Sequence, residues 1–242
     1  MLLALLAVAL PARAQLEVLL RGVGPSEPRQ GVCGLYRFRA VEPTGSRTIE
    51  FRACVESASP DGDGSVVLHL WSGDSLEARV EVAPAMFAGR GGSLLEHVRS
   101  VVQVEHGKTA RLEPEDWQQL PALSPAPQLP VVADSSLGSA TLEIRTDRLE
   151  CLGRLLEEAR SFVRTMGDVE VTAAEHRRLE IWTAAEAPLL GVVRARATVR
   201  SERNFSSPIP GVPQRGPRES FYELELLEIS ADPSAGRAVT GH

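Results

Sequence analysis

Five histidines and one short acidic loop are the residues of this chain that could bind a metal ion. The histidines are spread along the sequence, at His69, His97, His106, His176 and His242. They form no H-E-x-x-H pair and stand near no paired cysteines, which are the spacings that zinc sites use. PDGDGS resembles the start of a calcium loop, but position twelve counted from Asp61 is Ser72 rather than a glutamate. We therefore predict no metal and no other cofactor.

The candidate nucleophiles are also isolated. Ser93 lies in GRGGSLLEH, which lacks the G-x-S-x-G spacing of a nucleophile elbow. Cys151 has no catalytic signature around it, and a lone thiol among apolar residues is typical of a packed side chain. The sequence therefore predicts a non-catalytic protein. A hydrolase whose catalytic residues are dispersed along the chain is the alternative.

An apolar segment at the N-terminus indicates export. MLLALLAVALPARA has an uncharged run from Leu2 to Leu10, a break at Pro11 and a final A-x-A, the pattern of a cleaved signal peptide. We expect residues 1–14 to be removed, so that the mature chain begins at Gln15 in the periplasm or outside the cell. A buried N-terminal strand is the alternative. The run is too short to span a bilayer, and we expect no transmembrane segment in the mature chain.

The charge of the chain excludes one class of partner. Lysine and arginine number 26 and aspartate and glutamate 32, which gives a net charge of −6. Nucleic-acid-binding proteins leave a basic patch in their sequence, and this chain has none. We therefore expect no nucleic-acid partner.

Three cysteines in an oxidising compartment allow one internal disulfide. GLYRFRAVEPTGSRTIEFRACVE predicts a hairpin that turns at residues 43–46. Pairing the two ends of that turn places Tyr36 opposite Ala53 and puts Cys33 and Cys54 on the other face as diagonal neighbours. We hypothesise a Cys33–Cys54 disulfide, for which direct opposition needs a bulge or a slipped turn. Three buried thiols are the alternative.

Alternation of apolar and charged residues predicts the fold. VVRARATVR alternates apolar residues mainly with arginine, and FYELELLEI alternates them with glutamate. This two-residue period predicts adjacent antiparallel strands whose opposite charges help to choose the register. Similar segments recur, with turns at Gly73-Asp74 and His106-Gly107. We predict a mainly β fold: a curved antiparallel sheet, forming a half-barrel or open barrel, with one to three short helices.

The chain is predicted to form one β-rich domain at residues 15–230. Its two halves, about 31–119 and 135–230, are joined by the Pro-rich strap LPALSPAPQLPVVAD. A flexible tail follows at 231–242.

Two segments favour helix by their spacing. EPEDWQQL, at residues 113–120, has a proline and acids in its first turn, which predicts a short helix. In residues 149–166 the apolar side chains recur at helical spacing, with Gly153 as the one unfavourable residue. Spacing alone predicts a helix there.

A resemblance bears on the second of these segments. RRLEIWTAAEAPLLGVVRARATV followed by YELELLEIS resembles the C-terminal part of uncharacterised exported bacterial proteins. LEIRTDRLECLGRL resembles the strand pair that precedes it, so the likeness covers roughly residues 138–230. That group is similar in fold to periplasmic lipoprotein carriers, whose curved half-barrel holds acyl chains under helical lids. The resemblance implies a strand at 149–156, leaves 157–165 open, and supplies no site residues.

These patterns and the resemblance together predict a binding protein of the Gram-negative envelope that holds an apolar or lipid-like ligand, or a lipidated protein, in a concave sheet. The strand at residues 66–71 is apolar on both faces, so a helix, a second sheet or a ligand must cover it. Candidate ligand-lining residues are Trp71, Val80, Trp182, Val193 and Tyr222. The alternative is an interaction or scaffold protein with a packed core, whose contact surface is the Pro-rich connection at 201–218.

Overall fold

The structure is a computed structural model that describes residues 18–20, 23, 25–58, 66–72, 76–88, 94–105, 108–112, 129–166, 169–206 and 216–231. Several predicted features lie outside these residues. They are the signal peptide at 1–14, the turns at Gly73-Asp74 and His106-Gly107, the helix at 113–120, most of the Pro-rich strap, and the tail beyond Ala231.

The described residues form a single antiparallel sheet of eleven strands. The strands are β1 (Val32–Glu42), β2 (Gly45–Ala58), β3 (Val66–Ser72), β4 (Leu76–Val82), β5 (Val98–Glu105), β6 (Lys108–Leu112), β7 (Val131–Glu143), β8 (Arg148–Met166), β9 (Val169–Thr183), β10 (Val192–Phe205) and β11 (Arg218–Ala231). Their order in the sheet is β6-β5-β4-β3-β2-β1-β11-β10-β9-β8-β7, and the sheet is not closed into a barrel. The predicted mainly β fold is confirmed.

Helical structure in the described residues is short. A turn of helix covers Val18–Leu20, and two 3-10 helices, Pro84–Ala88 and Leu94–His97, connect β4 to β5. The two predicted halves of the chain meet where the first and last strands pair, with Phe38 of β1 opposite Leu224 of β11. Both halves therefore belong to one continuous sheet.

The β1–β2 hairpin is slipped by two residues relative to the predicted register. Tyr36 lies opposite Phe51 rather than Ala53, and the last pair is Glu42 with Gly45, which leaves a two-residue turn. Gly45 adopts a φ of 146°, outside the range that other residues favour, which allows the tighter turn. The slip keeps each side chain on its predicted face, because it moves the pairing by an even number of residues.

The same slip brings two cysteines together. Cys33 lies directly opposite Cys54 on adjacent strands, their Cα atoms are 4.0 Å apart, and their sulfur atoms are bonded as a disulfide. Cys151 remains a free, buried thiol.

Residues 149–166 are strand throughout, so the helix predicted from their spacing is wrong and the strand implied by the resemblance is correct. β8 pairs with β7 on one side and with β9 on the other. The supposed helical stripe is not uniformly buried, since Leu156 is buried while Leu152 is 69% exposed. A Cβ atom at Gly153 would lie 2.6 Å from Cζ3 of Trp182, so the glycine permits close packing between strands. Pairing on both sides overrides the local preference for helix.

The two faces of the sheet differ in chemistry. The inner face, defined here as the face that carries Tyr36, Ala195 and Leu224, is apolar and buried at its centre. The outer face, its opposite, carries a ladder of ion pairs across β2, β1, β11 and β10. The pairs are Arg37–Glu50 at 2.9 Å, Arg194–Glu225 at 2.8 Å and Arg196–Glu223 at 2.6 Å. The predicted facing of the arginines of β10 and the glutamates of β11 is confirmed.

Candidate functional site: a groove at one end of the inner face

Three of the five predicted lining residues lie on the inner face. Val193 and Tyr222 are buried there, and half-buried Val80 lies opposite Leu68 of β3. The other two, Trp71 and Trp182, lie on the outer face. Trp71 directly follows the inner-face residue Leu70 along β3, and successive side chains of a strand point to opposite faces.

The surroundings of the two tryptophans explain why they are accommodated on the outer face. The guanidinium of Arg52 lies over the Trp71 ring, 5.9 Å from its centroid. The indole N–H of Trp182 donates a hydrogen bond to Glu180 Oε1 at 2.7 Å. Both rings therefore contact polar partners beside the ion-pair ladder. Trp182 follows the two-residue period of Arg178 and Glu180, so the alternation of β9 itself places it on the charged face.

At the centre of the sheet, the inner face is covered by the chain itself. The β9–β10 connection, residues 184–191, folds back over β1 and buries Leu189 and Leu190. Its ends are joined by a hydrogen bond from the Ala184 amide to the Gly191 carbonyl at 2.8 Å. We call this segment, AEAPLLG with the preceding alanine, the inner loop. It occupies the position that a centrally bound ligand would need.

One tyrosine joins the inner loop to the sheet. The hydroxyl of Tyr36 accepts a hydrogen bond from the Leu189 amide at 3.1 Å and donates one to the Val192 carbonyl at 3.3 Å. Tyr36 is fully buried, and burial raises the pKa of its phenol well above the ordinary value. The phenol is therefore neutral and can act as donor and acceptor at once.

The N-terminal segment adds a second cover. Val18, Leu19 and Leu20 are buried in the same apolar cluster as Tyr36. The Ser26 amide donates a hydrogen bond to the carbonyl of buried Phe87, in the 3-10 helix after β4, at 2.9 Å. Segments from three distant parts of the chain thus exclude water from the central inner face.

A groove lies on the same inner face, where β8 and β10 end and β9 begins. It has a volume of about 400 Å³, within the range of about 300–1,000 Å³ that is typical of small-molecule sites. Its lining includes Arg160, Phe162, Ala173, Glu175, Ser201, Arg203, Phe205 and Arg218. The register gives all eight the parity of the inner face: Phe162 pairs with Ala173, and Ala173 with Arg203. We call this feature the end groove.

The floor of the end groove is apolar and aromatic. Phe162 is 45% exposed, Phe205 is half-buried, and Ala173 is buried between them. The guanidinium of Arg160 lies 5.7 Å from the centroid of the Phe162 ring. A phenylalanine this exposed offers apolar surface that a ligand could remove from water.

A buried ion-pair network separates the end groove from the packed centre. Arg177 is 4% exposed, and it contacts Glu175 at 2.6 Å and Glu158, itself 5% exposed, at 3.6 Å. Arg160 reaches the same Glu175 at 3.4 Å from the groove side. The carboxylate of half-buried Glu175 is thus shared by two guanidinium groups, which compensates the partial loss of its hydration.

A second cavity, of about 560 Å³, lies between the segment 25–29 and the inner loop. Its lining mixes apolar residues such as Leu152 and Leu190 with three carboxylates, those of Glu27, Glu150 and Glu186. Nearby Cys151 is buried, and burial is the main cause that raises the pKa of its thiol. Cys151 does not line the cavity, because its neighbours Glu150 and Leu152 do and successive side chains of a strand point to opposite faces.

The sequence reasoning missed the residues of the end groove. Arg160 and Phe162 fall in the segment whose helix or strand state was left open, and an i, i+2 pair shares a face only in a strand. Ser201, Arg203 and Phe205 follow the same two-residue period on β10. Extending the alternation of VVRARATVR by five residues, to the end of β10, would have found these three.

The described residues contain no cluster of three or more metal-ligating side chains. None of the helices among them has the length and apolar character needed to cross a bilayer.

The chain is similar to several solved structures. No protein-family model and no curated protein matches the chain. It is similar to a DUF1329 family protein from Desulfovibrio piger, at 14% identity, 93% coverage of both chains and a TM-score of 0.30. It is also similar to an exported protein with a YmcC-like fold from Bacteroides fragilis, at 9% identity, 87% coverage of this chain and 99% of that one, and a TM-score of 0.29. A LolA superfamily protein from Nitrosomonas europaea matches at 10% identity, 90% and 93% coverage, and a TM-score of 0.26.

These descriptions agree with the predicted resemblance to exported, lipoprotein-carrier-like proteins. At TM-scores of 0.30 or less, they carry no argument about the ligand of this chain.

Proposed function

We propose that this protein is an exported, non-catalytic binding protein of the cell envelope, and that it holds an apolar or lipid-like ligand in the end groove. The observation that supports this most is the exposed aromatic floor on the inner face. Phe162 and Phe205 lie on the same face as the dry core, yet the inner loop does not reach them among its described contacts. Exposed aromatic surface beside a core is typical of a binding site.

The proposed ligand position differs from the one expected from sequence. A ligand at the centre of the inner face would have to displace the inner loop from Tyr36, which costs at least two buried hydrogen bonds. A ligand in the end groove breaks neither of these hydrogen bonds. Val193 and Val80 then serve as core, and Tyr222 lies at the boundary, where its hydroxyl donates a hydrogen bond to Glu42 at 3.0 Å.

The proposal is tested by binding of an uncharged apolar probe, dodecanol, to the purified mature protein, measured by native mass spectrometry and by titration. Phe162→Ser and Phe205→Ser each remove apolar floor and should weaken binding about four- to twelvefold, since a half-exposed phenylalanine offers about half of its full burial energy of about 1.5–3 kcal/mol. Val163→Ser is the matched control, because Val163 is 60% exposed on the opposite face of β8. Equal losses in all three variants, or no binding by the parent protein, would overturn the proposal.

Export is tested separately. We expect the chain isolated from the periplasm or medium of the producing cell to have the mass of residues 15–242. Retention of the full-length chain in the cytoplasm would contradict this part of the proposal.

One observation favours a second function, an envelope interaction or scaffold protein. The central inner face is filled by the protein's own side chains, Leu19, Leu189 and Leu190 among them. Such a protein would use the connection 201–218, of which residues 207–215 lie outside the described part, as its contact surface. Deleting 207–215 should then abolish capture of a partner in a pull-down while the melting temperature is unchanged. Unchanged capture would exclude this alternative.

A further inference from the structure

We propose that the end groove selects anionic amphiphiles: an acyl chain that lies on the aromatic floor and ends in a carboxylate or phosphate held between Arg203 and Arg218. The inference rests on the proposed function and narrows it to one charge class of ligand. The main evidence for the inference is the position of these two arginines relative to the aromatic floor of the end groove.

The register brings the two arginines to one side of the floor. Ser201 of β10 lies opposite Arg218 of β11, and Arg203 is the next residue of β10 on the same face. Arg203 and Arg218 are therefore diagonal neighbours, whose backbones are about 7–8 Å apart and whose side chains are long enough to reach a common anion. Both are exposed, and Phe205 follows Arg203 on the same face.

The carboxylates of the end groove are already engaged elsewhere. Glu175 is held by Arg177 and Arg160. Glu202 has the parity of the outer face, and it accepts a hydrogen bond from the side-chain amide of Asn204 at 2.9 Å. The described lining of the end groove holds three arginines (Arg160, Arg203 and Arg218) against two glutamates (Glu175 and Glu202), so its formal charge is positive, although the chain as a whole carries −6.

Arg160 adds a further donor on the opposite wall. Its Nε atom is buried, and no described group accepts a hydrogen bond from it. A buried donor without a partner is costly, and an acceptor oxygen from a ligand would remove that cost. Guanidinium groups on two walls with phenylalanine between them match a molecule that is negative at its head and apolar along its length.

The test compares four probes that share one twelve-carbon chain: dodecanoate, dodecyl phosphate, dodecanol and dodecyltrimethylammonium. We expect the parent protein to bind the two anionic probes roughly tenfold more tightly than dodecanol, and the cationic probe most weakly. The double variant Arg203→Gln with Arg218→Gln should lose that preference and keep its affinity for dodecanol. Arg200→Gln is the matched control, because Arg200 is an exposed arginine on the outer face of the same strand.

The outcomes separate this inference from the proposed function. Equal affinity for anionic and neutral probes, or a preference that survives the double variant, would overturn the inference and leave the function standing. Failure of every probe to bind would overturn both. A last experiment adds inorganic phosphate to the complex with dodecyl phosphate. If phosphate displaces the probe at the concentration at which dodecyl phosphate itself binds, the site is one for a free anion and the inference is overturned. Both arginines are exposed, so unchanged melting temperatures are expected and serve as the folding check.

Discussion

Replacing Tyr36 by phenylalanine removes one hydroxyl from the centre of the inner face and leaves the ring in place. The change withdraws an acceptor from the Leu189 amide and a donor from the Val192 carbonyl, which lie 3.1 and 3.3 Å from the hydroxyl. Both groups are buried, and a buried polar group left without a partner costs about 1–3 kcal/mol. The carbonyl bond is long, so we assign most of the effect to the amide and expect a loss of about 2 kcal/mol in unfolding free energy.

For a domain of this size, 1 kcal/mol corresponds to a change in melting temperature of about 2–4 °C, so the variant should melt about 4–8 °C lower. Urea denaturation measures the free energy directly. Tyr222→Phe is the matched control. Its hydroxyl donates to Glu42, which is half-exposed and can be solvated by water instead, so its loss should stay below about 1 kcal/mol. Equal losses in the two variants would refute the role given to Tyr36.

The pH dependence of the unfolding free energy gives an independent check on the role of Tyr36. Burial raises the folded-state pKa of Tyr36, so the stability that its neutral form contributes is fully present below the unfolded-state pKa of about 10. Above that pH the unfolded phenol ionises while the folded one does not, and the parent protein loses up to about 1.4 kcal/mol per pH unit from this group. Tyr36→Phe lacks the group. The stability gap between the two proteins should therefore narrow above pH 10; a gap that stays constant would contradict the burial argument.

Three further predictions concern the cysteines and the buried ion pairs. Replacing Cys33 and Cys54 by serine opens a loop with a sequence separation of 21, which should lower the unfolding free energy by about 3 kcal/mol in urea denaturation; a midpoint equal to that of the parent would contradict it. Cys151 should resist alkylation at pH 8 in the folded protein and react readily in denaturant, because burial raises the pKa of its thiol. Mass spectrometry after timed quenching measures the two labelling rates, and rapid labelling of the folded protein would contradict the prediction. Arg177→Met removes the buried guanidinium that contacts Glu175 and Glu158, which should lower the unfolding free energy by about 3–5 kcal/mol in urea denaturation; a loss below about 1 kcal/mol would argue against the buried ion pairs.

Prediction from sequence succeeded where two physical signals agreed. β10 and β11 have apolar residues on one face and opposite charges on the other, so burial and charge choose the same register, and Ala195 lies opposite Leu224 as that argument requires. At β1–β2 the apolar pattern fixed the face of each residue but not the turn. A slip of two residues keeps every side chain on its face, so the pattern cannot detect it, and only the conformation of Gly45 and the opposition of the cysteines reveal it.

Prediction failed where the relevant partner is distant in the chain. The spacing of residues 149–166 fits a helix, and what makes the segment a strand is pairing with β7 and β9 on both sides. The tryptophans failed for another reason. The two-residue period of β3 and β9 places Trp71 and Trp182 on the outer face, and the predicted set of lining residues did not follow it. There the two rings contact Arg52 and Glu180.

The position of the end groove follows from the lengths of the strands and the position of the cover. The inner loop precedes the first residue of β10, Val192, whereas Phe205 is the last, about 43 Å further along at about 3.3 Å per residue. β11 pairs with β10 only up to the Ser201–Arg218 pair, so the residues beyond it are paired with β9 alone. The cover and the end groove therefore lie at opposite ends of the same strands, and the inner face can be a dry core at one end and an open surface at the other. For that reason a packed centre does not argue against a binding function, and the tests above are directed at Phe162, Arg203 and Arg218 rather than at the core.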